Sequence, residues 1–416
     1  MNISLHLIPT FTQFLKGKLL LTFCSFFILL NTNAQSWIQI DDFPATERDD
    51  GTTFTIGNIA YCGTGYKVGW SATRDFYAFD MISDTWSTIE ALPAGEERQY
   101  ASGFSHGNHG FIFGGLNGSN YYNDVWMYDP TQNNWTEKTS LPSVGRRGCI
   151  SFVIDGIAYI IGGRTSTDPA IAEVWAYDIN NDAWHQKNDF PFGPRYRGSG
   201  AATHNRGYLI FGSDENDHFF KEFYEYNPTT DSWLELPFFP VNGRTHSSLN
   251  SLSNKLIVVC GIDGQSQYAF DIWRFNTDLS SWEELTELPA IGRKGGMSFN
   301  NGTNVYYTAG IDPSNTRLKE TWKYVNALSI DEISKEEINL KVYPNPTYDI
   351  LTLELTDFSL KQNSRFTLTN HLGKVVLSHE NLQKETKIEL KVLSKGLYFL
   401  NVWKGEDFKT MKVVKL

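Results

Sequence analysis

SDTWSTIEALP (residues 83–93) returns as QNNWTEKTSLP (132–142), NDAWHQKNDFP (181–191), TDSWLELPFFP (230–240) and SSWEELTELP (280–289), with an earlier copy, SWIQIDDFP, at 36–44. The tryptophans of these copies, Trp37, Trp86, Trp135, Trp184, Trp233 and Trp282, stand 49 residues apart. Working outward, Pro44, Pro93, Pro142, Pro191, Pro240 and Pro289 keep the same step, as do Gly65, Gly114, Gly163, Gly212, Gly261 and Gly310. A second aromatic column runs Tyr77, Trp126, Trp175, Tyr224, Trp273, Trp322. An acid precedes each by two residues: Asp75, Asp124, Glu173, Glu222, Asp271 and Glu320. Columns held in one register over six copies define an internal repeat, and a period of this length belongs to propellers and other arrays.

Each copy reads as four short strands. In 147–187, CISFVI and IAYIIGG flank an Asp-Gly turn, the signature of a tight hairpin. EVWAYD and AWHQK then flank NND. No segment keeps an apolar period of 3.6, so helices are expected to be scarce. A lone four-stranded sheet cannot bury both faces, whereas sheets stacked radially bury them against neighbours. Nine residues after Trp322 the expected tryptophan is replaced by Asp331, so the last copy lacks its own fourth strand. Trp37 belongs to a fourth strand with nothing before it. The pattern predicts that SWIQI completes the last sheet and closes a ring of six.

The Gly-Gly pairs at 114–115 and 162–163, DVWMYDP at 124–130 and Trp135 nine residues after Trp126 resemble the kelch family of β-propellers. The resemblance covers about 36–325. Four copies keep one glycine of the pair, in Gly65-Tyr66, Gly212-Ser213, Gly261-Ile262 and Gly310-Ile311, and the register predicts that the first glycine, as at Gly114, is the one retained.

Of the 416 residues 41% are hydrophobic and 20% charged, enough apolar material for more than one core. Residues 1–34 read as a signal peptide: Lys16 and Lys18, the apolar run LLLTFCSFFILL, and a small-residue cleavage site near Ala34. No transmembrane segment is expected in the mature chain. Residues 35–329 hold 21 Lys+Arg against 35 Asp+Glu, an acidic surface that argues against nucleic acid as partner. The remaining cysteines, Cys62, Cys149 and Cys260, have no metal-ligand spacing and read as small buried side chains.

The repeat stops near 338, after the acidic linker IDEISKEE (330–337). Residues 338–416 are basic, with 12 Lys+Arg against 8 Asp+Glu, and alternating runs such as ILTLEL and RFTLTN predict a small immunoglobulin-like β-sandwich. YPNP (343–346), HLGKVV (371–376), KGLYFLNV (395–402) and KVVKL (412–416) resemble the C-terminal sorting domain of the type IX secretion system of Bacteroidetes-type bacteria. That resemblance implies passage through the outer membrane by the type IX machinery, a secreted or cell-surface protein, and a tail removed or used for attachment. The fold class is therefore all-β: a six-bladed kelch-type propeller followed by a small sandwich.

Motifs of catalysis are scarce. GFSHG (103–107) satisfies G-x-S-x-G but falls at a strand end rather than in a strand–turn–helix elbow. No cofactor or metal site is expected. SDENDHFF (213–220) carries acids in one loop, which reads as a solvated turn rather than a calcium site. Four residues after each repeat proline come Arg48, Glu97, Arg146, Arg195, Arg244 and Arg293, with Arg98 beside the exception. In kelch propellers this position resembles the arginine at the channel mouth. Two readings stand: a ring of guanidiniums gripping carboxylate or sulfate, or arginines held by the acid column. Arg197, His246, Tyr100 and Tyr196 are neighbouring candidates. Trp70 and Tyr121, with Tyr122, stand in loops that differ between copies and can stack on sugars. The function expected is a secreted binding module for glycan or protein ligands on the loop face. The alternative is a sialic-acid mutarotase of six-bladed kelch type, although the strict step leaves no room for the insertions expected of that family.

Overall fold

Asp155-Gly156 turns the chain through left-handed backbone (φ 49° and 80°), so Ile150–Ile154 folds back on Ile157–Ile161. Val174–Asp178 and Ala183–Gln186 complete an antiparallel sheet of four. The computed structural model of the chain describes residues 36–325, 327, 340–355, 364–370, 374–380, 382–404 and 407–416. The signal segment expected at 1–34 and the linker expected at 330–337 lie outside the described residues.

The four-stranded unit recurs six times, and among the described residues there is no helix. Blades 1 to 5 begin at Thr52, Ser102, Ile150, Tyr196 and Ser248. Blade 6 takes three strands from Met297–Asn300, Val305–Thr308 and Thr321–Val325 and its fourth from Ser36–Ile40. Trp37 pairs with Tyr324 and Gln39 with Trp322, so the ring is closed by the chain's own early strand as the repeat count predicted.

The core lies between blades. Phe54, Tyr61 and Phe76 of blade 1 pack with Ile112 and Tyr128 of blade 2. Across the seam, Phe299 and Tyr306 of blade 6 pack with Cys62 and Phe79 of blade 1. The repeat tryptophans also hold adjacent blades together. The indole N–H groups of Trp86, Trp135 and Trp184 donate to Asp41 O, Glu90 O and Thr139 O, each on the preceding copy, at 2.8–3.1 Å. Trp37 does the same to Thr286 O at 3.0 Å. Cys62 and Cys260 are buried and Cys149 is half-buried; all three are free thiols, their pKa values pushed up to about 12 by burial.

One expectation is corrected. The glycine retained in all six copies is the second of the pair. Gly65, Gly115, Gly163, Gly212, Gly261 and Gly310 share φ between 97° and 109°, which side chains with a Cβ avoid. Thr64, Gly114, Gly162, Phe211, Cys260 and Ala309 fill the variable first position. Blade 2 carries one extra residue before its arginine, so the column passes through Arg98 and Gly115 rather than Glu97 and Gly114.

Residues 340–416 form two sheets over a separate core that includes Leu351, Leu353, Leu368 and Leu400. Leu340–Tyr343, Ile350–Leu355 and Glu385–Glu389 make one sheet. Val375–Glu380, Ser364–Asn370, Gly396–Lys404 and Asp407–Lys415 make the other. The fourth strand pairs with the third, whereas in a constant-type immunoglobulin domain it joins the opposite sheet.

Candidate functional site

The arginine column is tied down inside the blades. Arg48 makes two bonds of 2.8 Å to Asp75, and Arg98 bonds Asp124 at 2.7 and 2.9 Å. Arg146–Glu173, Arg244–Asp271 and Arg293–Glu320 close at 2.7, 2.5 and 2.7 Å. A guanidinium leaves water only when matched by charge and hydrogen bonds, and the acid two residues before each second-column aromatic supplies the match. Arg48, Arg146, Arg195, Arg244 and Arg293 are all buried, and none lines the channel or its mouth. The expected guanidinium ring open to ligand is not what these positions form: in five of the six blades the arginine ties the segment leading into the first strand to an acid at or just before the third. Glu97 turns instead to Arg74, 3.6 Å away.

Blade 4 departs from this pattern. Among the described residues Arg195 has no carboxylate within ion-pair reach; Phe220 and Phe190 lie 4.1 and 4.6 Å from its guanidinium carbon. Its Nε and Nη1 are buried with no hydrogen-bond partner among those residues, and burial lowers its pKa to about 10.

Two residues beyond each arginine the chain passes through left-handed backbone: Asp50, Tyr100, Gly148, Arg197, His246 and Gly295, with φ from 55° to 65°. Each N–H donates to the carbonyl of its counterpart on the preceding blade. The bonds run Asp50 to Gly295 (2.7 Å), Tyr100 to Asp50 (3.0 Å), Gly148 to Tyr100 (3.0 Å), Arg197 to Gly148 (2.7 Å), His246 to Arg197 (3.2 Å) and Gly295 to His246 (3.3 Å). Six main-chain bonds thus close a circle. Below it the first strands of all blades line a cavity of about 300 Å³, rich in Ser, Thr and Gly. Above it lies a vestibule of about 370 Å³. Asp50, Tyr100, Arg197 and His246 line both, so these four side chains form the mouth. The two glycines make room for them: a Cβ on Gly295 would come within 2.5 Å of an Asp50 carboxylate oxygen.

The mouth concentrates positive charge on an acidic body. Arg197 and Arg147 both lie against the Tyr100 ring, 4.6 and 4.8 Å from its centroid. Both arginines keep a buried Nε with no partner among the described residues. Lys294 shares the vestibule. Burial lowers the pKa of His246 well below its ordinary value, reinforced by the charges of Arg197, Lys294 and Arg147, so its ring is neutral. Its Nδ1 lies 2.9 Å from the Thr245 hydroxyl and its Nε2 3.9 Å from an Asp50 oxygen. Burial, then repulsion from Asp49, raises Asp50 to about 7 against the pull of Arg197, Tyr100 and Lys294. Burial and the Asp50 charge raise the Tyr100 phenol. The vestibule offers the Arg197 guanidinium and the Lys294 ammonium to an anion, with a carboxyl and an imidazole beside them, while Arg147, against the Tyr100 ring, does not line it.

The structure therefore brings together Tyr100, Arg197, His246 and Trp70, all of which line the vestibule. Tyr196 sits behind Arg197, its ring centroid 5.2 Å from the guanidinium, and Tyr121 lies on the Asn120–Asp129 strand opposite Leu116; neither lines the vestibule or the channel. Tyr122 is held under Arg98 at 4.0 Å. Sequence reading missed Asp50, Arg147, Lys294 and Arg317. For the first three the available signal was the register one and two places after the arginine column; Arg317, in a loop that differs between copies, had none. The first acid of SDENDHFF has a structural role: Asp214 accepts the N–H groups of Asn216 and His218, and Asp263 and Asp312 accept the equivalent N–H groups in the next two blades. Ser105 of GFSHG lies on a hairpin strand, Ser102–His106, with no helix following.

A closed ring of six four-stranded blades with a charged mouth at one end defines a kelch-type β-propeller. The KLHDC2/KLHL20/DRC7 Kelch-repeats domain matches residues 21–199 and 104–240, more than half of the chain, and the protein belongs to the kelch-repeat family. Residues 341–416 match the secretion system C-terminal sorting domain, which marks a protein delivered by the type IX machinery to the exterior or the cell surface. The solved structure of YjhT is similar in fold, with a TM-score of 0.58 at 18% identity over 68% of this chain and 95% of that one. No curated protein sequence matches the chain. Among the described residues no helix is long and apolar enough to cross a membrane.

Proposed function

We propose that this secreted kelch propeller is a binding module whose channel mouth takes the carboxylate of a glycan or protein ligand. The observation that carries the reading is Arg197, which lines the vestibule against the Tyr100 ring with its Nε left without a partner among the described residues. An anion in the vestibule supplies acceptors beside Lys294 and beside a histidine whose pKa is depressed by burial and then by the surrounding cations. Arg197→Ala and Lys294→Ala, assayed against arrays of carboxylate- and sulfate-bearing glycans and acidic peptides, are expected to weaken binding about tenfold or more while leaving the unfolding midpoint in place. Equal affinity in wild type and both variants overturns the reading.

One observation favours a second reading, sialic-acid mutarotase activity. Asp50, with a pKa near 7, stands beside neutral His246 and the Tyr100 hydroxyl, a set able to accept and return protons at a sugar hemiacetal. Anomer exchange of N-acetylneuraminic acid, followed by NMR, is then faster with wild type than with Asp50→Asn. A rate equal to that in buffer removes this reading.

A further inference from the structure

Trp70 stands apart from the other exposed apolar side chains. It is 65% exposed, yet its backbone is left-handed (φ 60°), a conformation a bulky residue adopts only where its surroundings enforce it. The bracing is visible. The Arg317 guanidinium lies 4.4 Å from the Trp70 ring centroid and 5.4 Å from that of Tyr66. Arg317 is itself fixed by a buried ion pair to Asp49 at 2.6 Å. Trp70 comes from the second-to-third-strand loop of blade 1 and Arg317 from that of blade 6, so the platform spans the seam where the ring closes. The tryptophan is therefore presented as a rigid plate, covered by Arg317 and otherwise largely open to solvent.

The plate lines the same vestibule as Arg197 and Lys294. Gln99 and Asn315, side chains with both donors and acceptors, line it as well. We infer that the vestibule is a two-part site for an acidic oligosaccharide. The mouth cations hold the carboxylate of one sugar unit, and the next unit stacks on Trp70. A pyranose offers what this arrangement matches: an apolar ring face for the indole and hydroxyls at its edge for the amides. A protein ligand seated by hydrophobic contact calls for a continuous apolar patch, whereas the plate is bordered by charged and amide groups. The inference rests on the proposal that the mouth binds a carboxylate, and adds the class of molecule bearing it.

The test compares each acidic monosaccharide with its own oligomer on the full chain by titration calorimetry: N-acetylneuraminic acid with 3′-sialyllactose, and galacturonic acid with trigalacturonic acid. In at least one pair the oligomer is expected to bind about tenfold more tightly than the monomer. Trp70→Ala should abolish that gain, so that monomer and oligomer bind the variant equally, and Trp70→Phe should keep most of it. Trp70→Gly, which relieves the backbone, should behave as Trp70→Ala; retention of the gain in either variant overturns the stacking role. Oligomer and monomer affinities equal in every pair overturn the second subsite, while loss of monomer binding in Arg197→Ala still upholds the mouth. An oligomer gain that depends on Trp70 but not on Arg197 upholds the plate and removes the mouth. If no saccharide of either size binds, or only acidic peptides do, the oligosaccharide inference falls.

Discussion

Replacing Arg48 by methionine separates an architectural arginine column from a ligand-gripping one. In the structure Arg48 is 1% exposed and makes two 2.8 Å bonds to Asp75. It also donates to Thr64 O at 3.0 Å and to the Thr73 hydroxyl at 2.9 Å. Arg48→Met keeps most of the volume and removes every donor. Breaking a buried pair at one partner costs about 3–5 kcal/mol, because the other charge is left unmatched. Asp75 is about a third exposed, so water reaches its carboxylate and the lower end applies. A loss of about 3 kcal/mol, or a fall in Tm of about 6 °C, is expected. The pH dependence adds a sign. Burial acts to raise the Asp75 pKa but Arg48 outweighs it, so the folded value lies below the ordinary one. The stabilisation is therefore present above the ordinary carboxylate pKa and is lost as pH falls through the folded value. In Arg48→Met that acid-side loss should shrink. Urea unfolding followed by tryptophan fluorescence at pH 7 and pH 3.5, for Arg48→Met, Asp75→Asn and the double variant, measures all three quantities. A cost below about 1 kcal/mol with ligand binding abolished would refute the architectural assignment.

Asp50 should give a slope of opposite sign. Its folded pKa is raised to about 7, so its stabilisation is complete below the ordinary value near 4 and is lost as pH rises through 7, by at most about 4 kcal/mol. His246, whose folded pKa is depressed, works against this by costing stability as pH falls below its ordinary value. The difference between wild type and Asp50→Asn isolates the carboxyl: the variant should be the more stable at pH 8, and equal Tm differences at pH 5 and pH 8 refute the shift. Trp37→Ala removes the indole bond to Thr286 O and the 5.0 Å ring contact with Tyr324 that anchor the closing strand. A drop of about 3 kcal/mol in urea-unfolding stability is expected, and a drop below about 1 kcal/mol says the ring does not depend on that strand.

The fold was legible because propeller blades repeat one packing problem. Every blade needs an aromatic at its outer strand and a glycine where φ nears 100°, and five of the six need an acid to neutralise a buried arginine. Identical demands return identical residues at one spacing, and the missing tryptophan at 331 betrayed the shared sheet. A one-residue insertion in blade 2 was enough to misplace the retained glycine, since spacing counts residues and backbone geometry does not. The mouth was far less legible. Its ring positions are Asp, Tyr, Gly, Arg, His and Gly, alike only in left-handed backbone and in the circle of amide bonds that joins them.

The amino-acid sequence by itself determined the all-β class, the six copies, their closure and the basic tail, because each follows from local pattern and count. Only the tertiary structure decided which arginines face inward and which face the mouth. Arg195 and Arg197 are two residues apart on one chain, yet one is shut in against Phe190 and Phe220 and the other stands over Tyr100. The side chains that meet at the axis come from four separate repeats, and no local pattern records which of them become neighbours there.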